Sequence, residues 1–587
     1  YSGINVPPSI YYKKGLTSSY EHLISPTSIS RKDLILDYYK ASKNDNFLAY
    51  QYSRNGSDWK EIKIVQIKKR RFFNDVIKHT KFSDINWFGQ GFFYKKFPFD
   101  SITGKTIFPK IMYHKLDTPQ QDDSMVFEAV NKNEFLSLFN SEDEDFYIVK
   151  RENYEEKTYS FYYLDSYVNG LKFNTLFEDS TYDLNIINYK DNIVFAKAII
   201  NGQEHIICFS KDEPKKWKNL TPNYENAVLT GYEFLENNII LSYQSLQNGI
   251  ITKIDYEGNV LNELATPKGL TIGGLKYHNA FKKFFFTLSS YTIPPVQYKL
   301  DLELFKYEVV GKTEVSFDPK NYKFSQRYFT SFDGTQVPMF IVFKDSLKTD
   351  KNTPFLLKTY GGYGTKSFPR YDPGVVYFLE NGGAFAYVNI RGGGELGVNW
   401  WENGKKLNKT NGIKDFIAAS EYLIEQGYTK PKKIAITGTS HGGLIIAASA
   451  IMRPDLFGAA VVDVGVLDML RFENFTVGAT STNLSEFGTV TNLQDFKNLY
   501  SYSPFHNINN AINYPSMLIV TGNHDDRVPP LHSYKFAGRL QNNPSQINPI
   551  LLWTQNNTGH FGANKLGDKV EENSYIYGFL FHELTEK

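Results

Sequence analysis

The sequence predicts a two-part chain: an all-β half folded as a propeller, then a doubly wound α/β half with a mostly parallel sheet. Two observations carry that expectation. From about residue 28 to 315, short apolar and aromatic runs alternate with Asp, Asn and Gly turns, and no amphipathic helix interrupts them. After Phe317-Asp318-Pro319 the texture changes to short apolar runs alternating with helical patterns.

In the first half, Phe47 to Tyr50 precedes the turn Arg54-Asn55-Gly56, and Ile239 to Tyr243 precedes Gln247-Asn248-Gly249. The same phrase returns around Asn86 to Tyr94, Asp191 to Phe209, Glu236 to Tyr256 and Asn279 to Leu300. Roughly 300 residues of this pattern divide into about seven units of ~40 to 45, the size of one four-stranded blade. A seven-bladed propeller over residues 1–317 is therefore expected, with a pair of large β-sandwiches as the competing architecture.

In the second half, residues 318–587, the apolar runs are Val337 to Phe343, Phe355 to Thr359, Ala384 to Asn389, Lys433 to Thr437, Ala459 to Val464, Ser516 to Thr521 and Ile550 to Thr554. Between them lie helical patterns such as Ile413, Phe416, Ile417, Leu423 and Ile424, spaced to bury one face. Alternation of this kind implies a largely parallel sheet covered by helices, with chemistry at the carboxyl ends of its strands.

Composition narrows the partners. The 587 residues carry 65 basic and 63 acidic side chains, a net charge of +2, so no overall field attracts nucleic acid. No run reaches the ~18 to 20 apolar residues of a spanning helix. Cys208 is the only cysteine, which excludes an internal disulfide, a thiolate zinc cluster and a CxxC redox pair, and it is expected as a buried apolar residue of a blade. The charge runs Lys68 to Arg71 and Glu142 to Asp145 read as solvated hairpin tips. Tyr1 follows no initiator Met or leader, the expectation for a processed or trimmed chain. A monomer is expected, in the cytoplasm, with a periplasmic or secreted setting as the alternative. No metal and no cofactor are expected, and the partner is a small or peptidic substrate.

Residues Ile434 to Ser449 read I-A-I-T-G-T-S-H-G-G-L-I-I-A-A-S. A strand, a G-x-S-x-G turn and a helix of small residues lift a Ser440 hydroxyl clear of a sheet, and Gly438 and Gly442 remove Cβ atoms that would clash there. The His441 N–H at the helix start is placed to stabilise an oxyanion. In this fold, an α/β-hydrolase, the acid and the histidine follow the serine in that order. The strand Ser516 to Thr521 opens into T-G-N-H-D-D-R-V, offering Asp525 and Asp526; the next, Ile550 to Thr554, opens into Q-N-N-T-G-H-F-G, offering His560. His506, His524 and His532 are less well placed, and Asp463 and Asp468 occupy a rarer acid position.

Y-G-G-Y-G at Tyr360 to Gly364, N-I-R-G-G-G-E at Asn389 to Glu395, G-T-S-H-G-G-L at Gly438 to Leu444, R-P-D-L-F-G at Arg453 to Gly458 and H-D-D-R-V at His524 to Val528 resemble the prolyl oligopeptidases. Ser331 to Val342 echoes the opening of that family's catalytic domain, and G-S-D-W at Gly56 to Trp59 resembles a phrase of its propeller. The resemblance implies a serine endopeptidase that cleaves short peptides after proline, with the propeller excluding folded proteins. It implies Ser440, Asp525 and His560 as the triad, Tyr360 as an oxyanion donor beside His441, and Arg527 as the ligand of a substrate backbone carbonyl. An ion pair of Arg527 with Asp525 or Asp526 is the structural alternative. Tyr363, Val466, Phe487 and Val528 fall where the family lines its proline pocket. The family's pocket Trp stands four residues before an aromatic-Gly pair, and Asn483 stands there before Phe487-Gly488, in a stretch two residues longer than usual. That departure implies a weaker proline preference. The family's N-terminal segment, which covers the hydrolase domain, is expected to be absent because Tyr1 begins near the first blade. A related oligopeptidase of relaxed or non-proline specificity, with a preference for basic or small residues, an esterase and a non-catalytic propeller scaffold are the alternative functions.

Overall fold

The computed structural model describes residues 9–13, 18–25, 34–98, 108–129, 134–141, 143–165, 170–279, 281–475, 481–563 and 565–585. Tyr1 and Glu142 lie outside them. The β-rich half consists of antiparallel sheets in succession. A two-stranded sheet, Ile10–Tyr12 with Glu21–Ile24, comes first. A nine-stranded sheet follows, made of two meanders that open at Leu34 and Asn86 and meet through the single pairing of Thr80 with Lys96. Four four-stranded sheets then open at Glu134, Asn185, Ala227 and Thr271. Among the described residues, one small sheet, two meanders and four further sheets make seven units.

Their cores show how the units stack. Phe93 and Ile111 pack with Leu136 and Val149 of the next unit. Phe146 and Phe161 pack with Val194 and Ile207, Phe195 and Ile206 with Leu229 and Leu241, and Ile240 and Ile251 with Phe284 and Leu300. Each apolar face is buried against the following unit, the packing of propeller blades. Lys68, Lys69, Arg70 and Arg71 are exposed at a hairpin, as expected. Cys208 is half-buried rather than buried: it shares the strand face of Ile206 and packs at the margin of the core that Phe195 and Ile206 form with Leu229 and Leu241, while Ile207 and Phe209 enter the core on the other face.

The second half is one eight-stranded sheet in the order Tyr322–Thr330, Gln336–Lys344, Ala384–Val388, Phe355–Lys358, Ile434–Thr439, Ala459–Asp463, Ser516–Gly522, Ile550–Gln555. The strand Tyr322–Thr330 was not foreseen as one of the apolar runs, because it is an amphipathic edge strand with most side chains outside the core. It and its neighbour pair antiparallel; the remaining six strands are parallel. Alternate residues feed opposite faces: Ile436, Val462 and Ile519 enter one core, and Ala435, Val461 and Leu518 the other. The helix Lys409–Glu425 buries Ile413, Phe416, Ile417 and Leu423, the face its spacing predicts.

Candidate active site

The strand Ile434–Thr439 turns into the helix His441–Met452 with Ser440 alone between them. Ser440 sits at φ 59° and ψ −116°, a conformation that an L side chain holds only when its surroundings force it. A Cβ on Gly438 would lie 2.6 Å from the Gly442 carbonyl carbon, and one on Gly442 would lie 2.6 Å from the Thr359 oxygen. Both positions therefore require glycine. The turn is fastened to the neighbouring strand by Ser440 N–H donating to Asp463 O at 2.8 Å.

The same sheet edge carries the other two loops. Asn523 N–H donates to Gln555 O at 3.0 Å and His524 N–H to Thr558 O at 2.9 Å, so the acid loop and the histidine loop are stitched together. His560 Nδ1 lies 2.7 Å from Asp525 Oδ2, and Asp525 Oδ1 accepts the N–H groups of Arg527 at 3.0 Å and Val528 at 2.8 Å. A carboxylate only accepts, so the imidazole donates from Nδ1 and keeps its lone pair on Nε2, the tautomer a general base needs. Asp525 is 3% and His560 7% exposed, which shields the pair from competing water.

The competing residues are engaged elsewhere. His532 Nδ1 accepts from the N–H groups of Leu467 and Asp468, and His506 bonds Ser503 at 2.9 Å. The His524 ring meets Asn55 of the propeller at 3.2 Å. Asp468 is held by Lys535 and Arg471. Asp463 accepts the Thr439 hydroxyl at 2.8 Å, and burial pushes its carboxyl up to about 6.

Tyr360 follows the strand Phe355–Lys358 and packs 5.6 Å from the His441 ring. Burial, assisted by the charge of Glu486, pushes its phenol up to about 12, so it remains a neutral donor at physiological pH. Tyr363, held at φ 57°, joins Val466, Phe487 and Val528 in one apolar cluster. Asn483 lies four residues before Phe487 on the helix Ser481–Phe487, on the same face, and accepts the Tyr363 hydroxyl at 3.1 Å. The five residues expected around a proline pocket are thus neighbours of Tyr363 or members of its cluster.

Arg527 bonds neither Asp525 nor Asp526 through its guanidinium. Nε and Nη2 reach Asp58 of the propeller at 3.0 and 2.7 Å, a bidentate pair across the two halves. Asp526 instead accepts the Ser57 hydroxyl at 2.5 Å and the Asp58 N–H at 2.8 Å. Gly56 presses on the histidine loop: a Cβ there would lie 2.9 Å from Gly559 N. The G-S-D-W phrase is therefore the propeller's seat on both loops that carry the Asp525–His560 pair. The sequence singled out the phrase but not its partner. Equally unforeseen is a buried pair against the His441 ring, Lys409 with Glu486. Among the described residues no group of three His, Cys, Asp or Glu side chains is arranged to hold a metal ion. No helix there is long and apolar enough to cross a membrane.

Comparison with known proteins gives the same picture over the whole chain. Residues 369–587 match the model of the prolyl oligopeptidase family, and residues 9–313 match that of the prolyl oligopeptidase N-terminal beta-propeller domain. A prolyl endopeptidase of Elizabethkingia miricola is 32% identical over 594 residues, covering 99% of this chain and 83% of that one. A solved structure from work on two prolyl endopeptidases and their inter-domain dynamics superposes with a TM-score of 0.91 at 28% identity, covering 99% of this chain and 86% of the other. Prolyl oligopeptidase B from Galerina marginata, bound to a 35mer substrate, superposes with a TM-score of 0.88 at 27% identity, covering 96% and 83%.

Proposed function

The chain belongs to the prolyl oligopeptidase family of serine peptidases, and from that membership we propose an endopeptidase that hydrolyses short peptides on the carboxyl side of proline through an acyl-enzyme. The propeller, residues 1–317, acts as the gate and the hydrolase domain, residues 318–587, as the catalyst. Ser440 Oγ attacks the scissile carbonyl while His560 Nε2 takes its proton, and Asp525 stabilises the imidazolium. The tetrahedral oxyanion receives the His441 N–H and the Tyr360 hydroxyl. Collapse expels the amine, which leaves with the proton from His560, and water then repeats the sequence on the acyl-enzyme. Tyr363, Val466, Asn483, Phe487 and Val528 line the proline pocket. Arg527 is a substrate ligand only when it shares or leaves Asp58.

The observation that carries this reading is the 2.7 Å Asp525–His560 bond at the ends of adjacent strands, on the same sheet edge as the strained Ser440 turn. A fluorophosphonate probe followed by peptide mapping should label Ser440, and a mixed peptide library should be cut after proline. Labelling at another serine, or cleavage without regard to proline, would overturn the assignment of the nucleophile or of the pocket respectively.

A further inference from the structure

The two proposed oxyanion donors come from separate elements, Tyr360 from a loop and the His441 N–H from a helix start, yet one side chain touches both. The His441 imidazole is fully buried, and its Nδ1 lies 2.8 Å from the Tyr360 carbonyl oxygen. A carbonyl only accepts, so Nδ1 carries the proton and Nε2 the lone pair. Lys409 Nζ lies 2.9 Å from that Nε2, and an ammonium only donates. The ring is thus satisfied at both ends in a single tautomer. Lys409 also donates to Glu486, whose other oxygen accepts the Trp401 indole N–H at 2.8 Å.

Packing holds the ring from three sides. Phe487 stacks on it at 5.9 Å and 13°, and Tyr363 meets it edge-on at 5.7 Å. On the loop side a Cβ at Gly362 would lie 2.5 Å from the imidazole Cγ, so the Tyr360 loop is pressed directly onto the ring. Lys409 and Glu486 are both fully buried. Buried ion pairs of this kind add little stability over apolar residues of the same volume, so their presence beneath the site calls for another role. The groups facing the ring are Lys409, Glu486, Tyr360 and Tyr363, with Lys405 acting on Lys409, and Glu486 on Tyr502, from further off. Burial, then the Lys409 charge, holds the imidazole down to about 3, so it stays neutral at physiological pH.

We propose that the Lys409–Glu486 pair, acting through the His441 imidazole, is a positioning device that fixes the spacing between the Tyr360 hydroxyl and the His441 N–H. This rests on the reading of those two groups as the oxyanion donors. A brace of this kind acts on the transition state, where the oxyanion forms, and not on substrate binding, so its loss appears in kcat.

The test is the pair of variants Lys409→Met and Lys409→Met/Glu486→Leu, each also combined with Tyr360→Phe, assayed on a chromogenic proline peptide with thermal melting as the fold control. The expected result is a kcat lower by about tenfold to hundredfold with KM within about twofold. The double variant should keep its melting temperature without recovering kcat. In the Tyr360→Phe background the loss should shrink, because the brace has then lost one of the donors it places. Wild-type kcat in the folded double variant, a loss confined to KM, or full additivity with Tyr360→Phe would each overturn the brace. Wild-type kcat in Tyr360→Phe alone would instead sink the oxyanion reading beneath it. If neither Lys409 variant folds, Trp401→Phe, which removes only the outermost hydrogen bond, should lower kcat with KM unchanged; an unaltered kcat there overturns the proposal.

Discussion

Replacing Asn483 by Trp places an indole four residues ahead of Phe487, on the same helical face and beside Tyr363. Two effects follow. The 3.1 Å hydrogen bond from the Tyr363 hydroxyl is lost, at a cost of about 0.5 to 1.5 kcal/mol, but this falls equally on every substrate. An aromatic face against a proline ring adds about 0.5 to 1.5 kcal/mol beyond its buried area, and an alanine side chain cannot collect it. Only the second term survives in the ratio of the two substrates. Since each 1.36 kcal/mol is a factor of ten, Asn483→Trp should widen the preference for proline over alanine by about twofold to tenfold. The assay is kcat/KM for matched proline and alanine peptides, with Asn483→Ala as the control that removes the hydrogen bond without adding a ring. Asn483→Ala should leave the ratio where it was. An unchanged ratio in a folded Asn483→Trp enzyme would show that this residue does not face the substrate, and that the pocket wall comes from elsewhere.

Ser440→Ala should abolish turnover without lowering the melting temperature, since the turn accepts a smaller side chain; activity above a trace would move the chemistry to another residue. Peptides of roughly ten residues should be cut while a folded domain of about 100 residues, near 13 Å in radius of gyration, should not, and efficient digestion of native globular substrates would refute the gate. Asp58→Ala strips Arg527 of both inter-domain bonds and should speed the cleavage of long peptides relative to short ones, measured in one competition digest; an unchanged ratio would show that this seam does not limit entry. In the propeller, burial pulls the His114 imidazole down, but hydrogen bonds and charge from Asp123 at 2.7 Å and Asp75 at 3.2 Å outweigh it and hold it above the ordinary 6.5. The group is raised, so its contribution is complete below pH 6.5 and fades as pH climbs through the folded value. His114→Gln should therefore cost more melting temperature at about pH 5.5 than at about pH 9; an equal loss at both would mean the imidazolium adds nothing.

The strand-to-helix turn at Ser440 was legible because its demands are local. Gly438, Ser440 and Gly442 lie within one strand-to-helix turn, and their spacing follows from atoms that collide inside it. The acid and histidine loops were found for a related reason: each strand of a parallel sheet delivers its next residues to the same edge, so chain order fixes Asp525 and His560 up to the choice between two aspartates. The alternation of short strands and turns gave the blades, whose cores form between neighbours in the chain. Lys409 and Glu486 gave no such signal, and Asp58 stood out only as part of the G-S-D-W phrase, without its partner. Lys409 finds Glu486 77 positions away and Asp58 finds Arg527 469 positions away. Nothing in the local run around a lysine distinguishes one that will be buried against a histidine ring from one left in water. The Lys409–Glu486 pair exists only because packing removes both partners from solvent together, and the Asp58–Arg527 pair only because the propeller meets the sheet edge, conditions met when the rest of the fold is already in place.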